Sequence, residues 1–445
     1  MHSSFDRLRV LRSIPYWRSR TVFWCGGALA GLAAALFAIA ADEAQVIFRD
    51  LLKISPYLPL VLTPLGFAVS VAVAKRFFPG SQGSGIPQAI AAREVHDETL
   101  RKHLVSLRIA FGKVLLTLLG LLCGASIGRE GPTVQVGASI LHAVGRISQR
   151  HYQGVILAGS AAGVAAAFNT PLAGIVFAIE EMSRSFEQRT SGLVLTTVII
   201  AGMASMALLG NYTYFGHTAV SLVSVTQWLA VPLCGVCGGF LGGIFSQVVV
   251  MVSRLRTGPL RAFMSGYPVV FAASCGLLVA LLGLASGGTI YGTGYQEAKA
   301  LLDGGSGVPA SFGLMKMVAT ILSSLSGLPG GIFAPSLAIG AGLGSNLSAL
   351  LPETPVAAVV ILGMVGYFAG VVQAPITSFV IVMEMTDDHA MALPLMATAL
   401  IGYSVSRFMG TEPIYHALAQ AFIPAAPPKG AETSPKEPPV SPNAS

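Results

Sequence analysis

Two glutamates stand where a carboxylate is costly. Glu130 lies inside GREGP, Gly128 to Pro132, with the uncharged run Val114–Ile127 before it and the apolar run Thr133–Ala143 after it. Glu181 is the second acid of FAIEEM, at the end of the small-residue stretch Gly154–Met182. A charged side chain at membrane depth costs about 3 kcal/mol on insertion scales, so a carboxylate placed there points to ion or proton handling. Pro132 suits the first turn of a helix, where its missing N–H costs nothing, and this predicts Glu130 at a helix N-terminus. The unsatisfied N–H groups at that end attract anions, the carboxylate included. Once protonated, the same carboxyl loses that attraction and can move away. The plainer alternative is a capping carboxylate that only stabilises its helix. Gly128 and Gly131 favour the functional reading, because they leave room for an ion or for side-chain movement. For Glu181 the chemistry is proton relay. Its plainer alternative is an interfacial carboxylate ending a helix, with Met182, Ser183 and Arg184 following.

The composition fixes the setting of these groups. With 53% hydrophobic residues, 11% charged residues and a mean hydropathy of +0.71, the chain reads as an integral membrane protein. The formal charge of +7 reads as topology and not as a nucleic-acid signal. Arg7, Arg9, Arg12, Arg18 and Arg20 precede a first span expected at about Thr21–Ala41, which places the N-terminus in the cytoplasm behind an uncleaved signal anchor. Cys25, Cys123, Cys234, Cys237 and Cys275 all fall in apolar spans, so they read as packing residues, and CGVC has no second ligand pair to make a metal site.

In chain order, a span at Leu58–Phe78 precedes a glycine-rich interruption, GSQGSGIP, at Gly80–Pro87. A polar stretch, Arg93–Lys102, leads to one long span, Leu104–Ile127, carrying Lys113. That lysine reads either as a snorkelling side chain or as positive potential on an anion path. Asn169, Thr170 and Pro171 are expected to break Gly154–Met182 into two short helices, and a further span reaches Leu209 before a turn at Gly210–His217.

The second half repeats the first. GREGPTVQVGA from Gly128 aligns with GIFAPSLAIGA from Gly331, and Pro132 and Pro335 stand 203 residues apart. The segment from Gly159 aligns with that from Gly363, matching Pro171 to Pro375 and Glu180 to Glu384. GSGIPQA from Gly83 echoes GTGYQEA from Gly292 more weakly. Shared proline and glutamate positions argue for duplication over mere similarity of small-residue helices. The expected division is a basic cytoplasmic segment 1–20, membrane repeats 21–217 and 218–423, and a Pro-rich tail 424–445. Duplicated, Gly/Pro-interrupted apolar segments are the pattern of a transporter whose broken helices aim their N-termini at an anion. GSGIP, GREGP and GIFAP then offer backbone N–H groups, with Gly128 and Arg129 in the second, without a full cation. Ser84 could add a hydroxyl, although a turn or cap hydroxyl is the plainer reading. An intramembrane enzyme using Glu180 and Glu181 is disfavoured. Adjacent helical residues point about 100° apart, and HExxH does not occur.

GSGIP at Gly83–Pro87, GREGP at Gly128–Pro132, GIFAP at Gly331–Pro335 and the tyrosine of EPIYHAL closely resemble the CLC family of chloride channels and chloride/proton exchangers, the bacterial exchangers most. The resemblance covers about residues 20–420. It implies an all-α polytopic membrane protein of two inverted repeats of short, tilted and broken helices. By the same resemblance Ser84 and Tyr415 donate hydroxyls to a central chloride, and the N–H groups of Ile332 and Phe333 complete the site. Glu130 corresponds to the gating glutamate and Glu181 to the internal proton-transfer glutamate, while Glu180 and Glu384 are left a structural, hydrogen-bonding role. The activity implied is secondary active chloride/proton antiport, with a passive voltage- or pH-gated chloride channel as the alternative. Ser84 favours chloride over nitrate. Chloride, protons and the bilayer are the expected partners, with no cofactor, metal or nucleic acid, in a homodimer of the prokaryotic inner membrane whose subunits each hold an ion path. Two departures stand out: Gln88 and Ile90 occupy positions where the exchangers carry acids, which alters the charge balance around Lys113, and little change to the ion path is expected. The tail after Pro424, with Pro427, Pro428, Pro435, Pro438, Pro439 and Pro442, is too short for the nucleotide-binding domains of many relatives.

Overall fold

The computed structural model describes residues 14–147, 152–183, 188–210, 212–305 and 307–424. Arg7, Arg9, Arg12, Arg184 and the prolines after Pro424 lie outside the described residues. The first half comprises α1 (Ile14–Ile54), α2 (Pro59–Phe77), α3 (Ile86–Glu94), α4 (Glu98–Leu104), α5 (Leu107–Leu122), α6 (Glu130–Ile147), α7 (Tyr152–Phe168), α8 (Pro171–Phe177) and α9 (Gln188–Leu209). A π-helical turn, Ala178–Ser183, extends α8. The second half comprises α10 (Val225–Trp228), α11 (Ala230–Ser253), α12 (Pro259–Gly266), α13 (Pro268–Ala285), α14 (Tyr295–Leu302), α15 (Phe312–Leu325), α16 (Phe333–Ser348), α17 (Val356–Val372), α18 (Pro375–Thr386), α19 (Ala392–Phe408) and α20 (Ile414–Ala419). Among the described residues six stretches are long and apolar enough to cross a membrane, at Arg20–Ile54, Pro59–Phe77, Glu98–Leu122, Gly192–Leu209, Val225–Ser253 and Pro268–Ala285.

Local chemistry sets the breaks. Prolines open α2, α8, α12, α13 and α18, where no N–H is needed. Two expected spans differ from the structure. The first helix extends well beyond Thr21–Ala41, because Asp42, Glu43 and Gln45 continue α1 as ordinary helix formers. The span expected over Leu104–Ile127 is the helix α5, shorter at both ends: Ser106 adopts extended backbone and caps it by accepting from Ile109 N at 3.4 Å, and it stops at Leu122, ahead of the Gly124 turn.

The two halves are built alike and run in opposite directions where they meet. Gly128 and Gly331, equivalent in the duplication, form an antiparallel bridge, Gly128 N to Gly331 O at 2.7 Å and Gly331 N to Gly128 O at 2.8 Å. Helix α6 packs on α7 as α16 packs on α17. In both pairs glycines allow backbone contact. A Cβ on Gly159 would stand 2.4 Å from Gly137 O, and one on Gly363 would stand 2.5 Å from Gly340 O. Asn169 and Gln373, which close α7 and α17, both adopt left-handed backbone, with φ 58° and 57°.

Glu180 and Glu384 cap each other's repeat. The Glu180 carboxylate accepts from Ile376 N at 3.0 Å and Thr377 N at 2.6 Å, opening α18. Glu384 accepts from Leu172 N at 3.1 Å and Ala173 N at 2.7 Å, opening α8. Each carboxylate satisfies two donors that a helix start leaves unpaired, and its charge suits the positive helix end. Glu180→Gln and Glu384→Gln should each remove about 2 kcal/mol of stability, read as lowered unfolding midpoints of similar size in the purified protein. A fall in one variant without the other would contradict reciprocal capping.

Candidate anion pathway

The GSGIP turn is shaped by glycine on both sides of Ser84. Gly83 and Gly85 take φ of 68° and 105°, a region that other residues rarely enter. The N-cap of α3 is Gly85, whose N–H is held by Gln88 Oε1 at 3.1 Å, so Ser84 is not the capping residue. Gln88, one of the departures from the exchanger pattern, also donates to Gln82 O. Ile90, the other, is buried. Lys113 does not snorkel. It is fully buried and donates to Ser81 O and Gly83 O, both at 2.6 Å, which fixes the turn from behind.

The three interruptions meet. A Cβ on Gly131 would lie 2.4 Å from Ser84 Oγ and 3.3 Å from Gly331 Cα, so only glycine leaves the approach open. Glu130, first residue of α6, is 1% exposed and folds its carboxylate back toward the start of α16. A Cβ on Gly128 would stand 2.3 Å from Glu130 Oε2 and 3.1 Å from Pro335 Cδ, and the Ala334 N–H faces the carboxylate. Ile332 and Phe333 open α16, so their N–H groups lack intrahelical acceptors. Tyr415 closes the site. It is fully buried, its ring stacks on Phe333 at 6.3 Å, and its hydroxyl lies beside Ser84 with Glu130 and Glu181 both within electrostatic reach. Among the described residues, neither Ser84 Oγ, Tyr415 OH nor either Glu130 oxygen meets a partner at hydrogen-bond geometry. Buried polar groups are rarely left so: the two hydroxyls are donors that an exchangeable anion would complete, and the carboxyl is an acceptor that a proton would complete.

Tyr415 is positioned from outside the apolar core. Arg254, ending α11, grips Glu412 with a two-pronged contact at 2.7 and 2.6 Å and holds that carboxyl below its ordinary range. Helix α20 follows three residues after Thr411, which Gln373 holds. On the other side of Tyr415, the π-helical turn separates the adjacent acids, sending Glu180 to cap α18 and Glu181 inward, where it is 2% exposed. His416 Nε2 lies 2.8 Å from Glu181 O and 3.9 Å from Oε1.

Two candidates are placed differently from the expectation. Gly128 gives its N–H to Gly331 and so has none for an anion. Arg129 turns away from Ser84. Its guanidinium donates to Ala38 O at 2.6 Å, pairs with Asp42 at 2.7 Å, and lines a cavity of about 410 Å³ together with Gln45, Tyr212, Tyr214 and Tyr295. Sequence reasoning missed three groups. Lys316 was readable as the repeat partner of Lys113; His416 stands next to Tyr415 but far from Glu181 along the chain, and nothing in sequence joined Asp42 to Arg129.

The arrangement suits a dehydrated monovalent anion. N–H and O–H donors converge without an adjacent full cation, so an ion can shed water and still leave. Known proteins bear on it. A profile described as the voltage gated chloride channel family matches residues 65–407. The H(+)/Cl(-) exchange transporter ClcA of Yersinia pestis bv. Antiqua (strain Angola) is 32% identical over 427 residues, covering 88% of this chain and 86% of the relative. The crystal structure of a slow cyanobacterial Cl-/H+ antiporter superposes with a TM-score of 0.77 at 27% identity, covering 91% of this chain and 97% of that one. A CLC-type fluoride/proton antiporter shares the fold, with a TM-score of 0.77 at 22% identity over 92% of this chain and 99% of that one. Its helices, repeats and matched segments together make this chain a member of the voltage-gated chloride channel, or CLC, family.

Proposed function

We propose that this protein is a secondary active chloride/proton antiporter. One observation carries the reading: the Glu130 carboxylate lies at the start of α16, in the space that an anion bound between Ser84, Tyr415 and the Ile332 and Phe333 N–H groups would contest. Ionised, Glu130 is drawn to the helix end and keeps chloride out. Protonated, it loses that attraction and yields the place. One site thus serves chloride and carboxylate by turns, and that alternation couples the two ions.

Protons need their own route to Glu130. Glu181 is buried beside His416, and its charge reaches the Tyr415 hydroxyl, as does that of Glu130, so the two acids flank the anion site. The ion movement requires no bond-making chemistry, and the relatives named above are transporters by name. Chloride over nitrate is what the family resemblance implies for a serine at position 84. The reading includes a homodimer with one path per subunit, supported by family membership. It also includes an inner-membrane location with the N-terminus in the cytoplasm, supported by the arginines ahead of the first apolar span.

Substitutions separate the roles. In proteoliposomes Glu130→Gln should pass chloride without coupled protons, and retained coupling would refute the gate. Glu181→Gln should lose proton flux by at least ten-fold, the scale of a removed relay group, while chloride flux persists; equal loss of both would assign Glu181 a structural place. Ser84→Ala with Tyr415→Phe should weaken chloride binding by about a hundred-fold or more, since two hydrogen bonds to a charged group, about 1.5 kcal/mol or more each, are lost. Unchanged affinity in that double variant, measured by titration calorimetry, would move the anion site elsewhere.

A further inference from the structure

A buried acid that handles protons must be filled from water, and Glu181 does not reach water itself. Its side chain is 3% exposed, whereas that of His416, on α20, is 20% exposed. His416 Nε2 lies 2.8 Å from Glu181 O and 3.9 Å from Oε1, so the imidazole stands between the acid and the surface. That surface is polar. Glu412, just ahead of α20, and Arg254, at the end of α11, pair there with both side chains exposed.

Two local features make the contact. Pro413 caps the short helix α20, and burial of Tyr415 at the anion site turns the next residue, about 100° further round, toward the π-helical turn. In that turn Glu180 is committed to Ile376 N and Thr377 N, which leaves Glu181 as the acid that faces inward beside the imidazole. Among the described residues, the elements packed on α20 bring Arg93 and Glu94 from α3, Arg254 from α11 and Tyr367 from α17. Arg93 donates to Met182 O, next to Glu181, and a guanidinium keeps its proton. Glu94 is exposed, and a phenol such as that of Tyr367 gives up its proton only well above neutral pH. An imidazole changes charge near neutral pH, which suits it to pass protons on.

We infer that His416 is the proton-transfer residue that connects Glu181 to the cytoplasm. The inference rests on the antiporter reading, with Glu181 as the internal proton station. The step moves one proton and no electrons: the Nε2–H of the imidazolium passes to Glu181 Oε1, leaving a neutral imidazole and a neutral carboxyl, and cytoplasmic water protonates the ring again. The gap of 3.9 Å closes by rotation of either side chain or through one water. The same contacts serve the reverse direction when the gradients reverse.

The test is proton and chloride flux in liposomes containing the purified full-length protein, recorded from about pH 5 to about pH 8. His416→Gln retains an N–H donor for Glu181 O but cannot titrate. Its proton flux should be about ten-fold below wild type near neutral pH, while chloride flux persists, and the deficit should shrink toward about pH 5, where hydronium reaches Glu181 without a relay. In His416→Ala, added imidazole on both sides should restore proton flux, which keeps the test open where His416→Gln does not fold. Wild-type proton flux in His416→Gln at every pH would overturn the relay and leave the antiporter standing. A deficit of equal size at every pH, or one that imidazole leaves in place, would also overturn it, since His416 would then only hold the Glu181 carbonyl. Absence of uphill proton movement in the wild type would instead overturn the reading on which the inference rests.

Discussion

An anion in the middle of a membrane must be held by something weaker than a cation and stronger than hydrocarbon, and the whole chain is arranged around that requirement. Helix N-termini supply the intermediate strength, but only where chain breaks bring them to membrane depth and bury them in protein. The breaks at Gly83–Gly85, Gly128–Gly131 and Gly331–Phe333 do so. The antiparallel exchange between Gly128 and Gly331 fixes two of them against each other. Gly85 and Gly131 are required there, because a Cβ on Gly85 would stand 2.7 Å from Gly131 O and one on Gly131 would stand 2.8 Å from Ser84 O. The remaining helices serve this meeting point: α6 with α7 and α16 with α17 pack through glycines, and Glu180 and Glu384 tie each repeat's broken helix to the other.

In the proposed antiport, the same potential lets Glu130 govern the path. A carboxylate and a chloride ion ask for the same donors, so whichever is bound excludes the other, and protonation decides between them. Selectivity, gating and coupling then follow from one competition and need no separate device. Phe333 has a double part in this, since its N–H opens α16 and its ring packs against Tyr415 and Phe368. The Arg254–Glu412 contact lies outside the apolar core, yet it anchors the segment that carries Tyr415 inward.

Much of this was legible in sequence because it rests on residue types that tolerate no substitute. Prolines and glycines marked the broken helices, and the shared positions of Pro132 with Pro335 and Glu180 with Glu384 disclosed the duplication. The structural role read for Glu180 from its repeat position is the one it has. What stayed hidden depends on direction in space. Arg129 could face the ion or the cavity, and Asp42 on α1 decides it. Snorkelling stayed open for Lys113 beside a place on the anion path, because the carbonyls that hold it come from a turn about thirty residues earlier. The N–H of Gly128 looked available until its partner in the other repeat was seen. The start of α5 at Leu107 was not fixed by Ser106 in sequence, since a cap is recognised by backbone conformation and not by residue type alone.

Coupling through a shared site is most directly tested by proton movement in liposomes containing the purified protein, with a chloride gradient as the sole driving force and external pH recorded. The account predicts protons moving against their own gradient, opposite in direction to chloride. Chloride flux with no uphill proton movement would contradict it, and would make this chain a passive chloride channel in which Glu181 serves the fold alone.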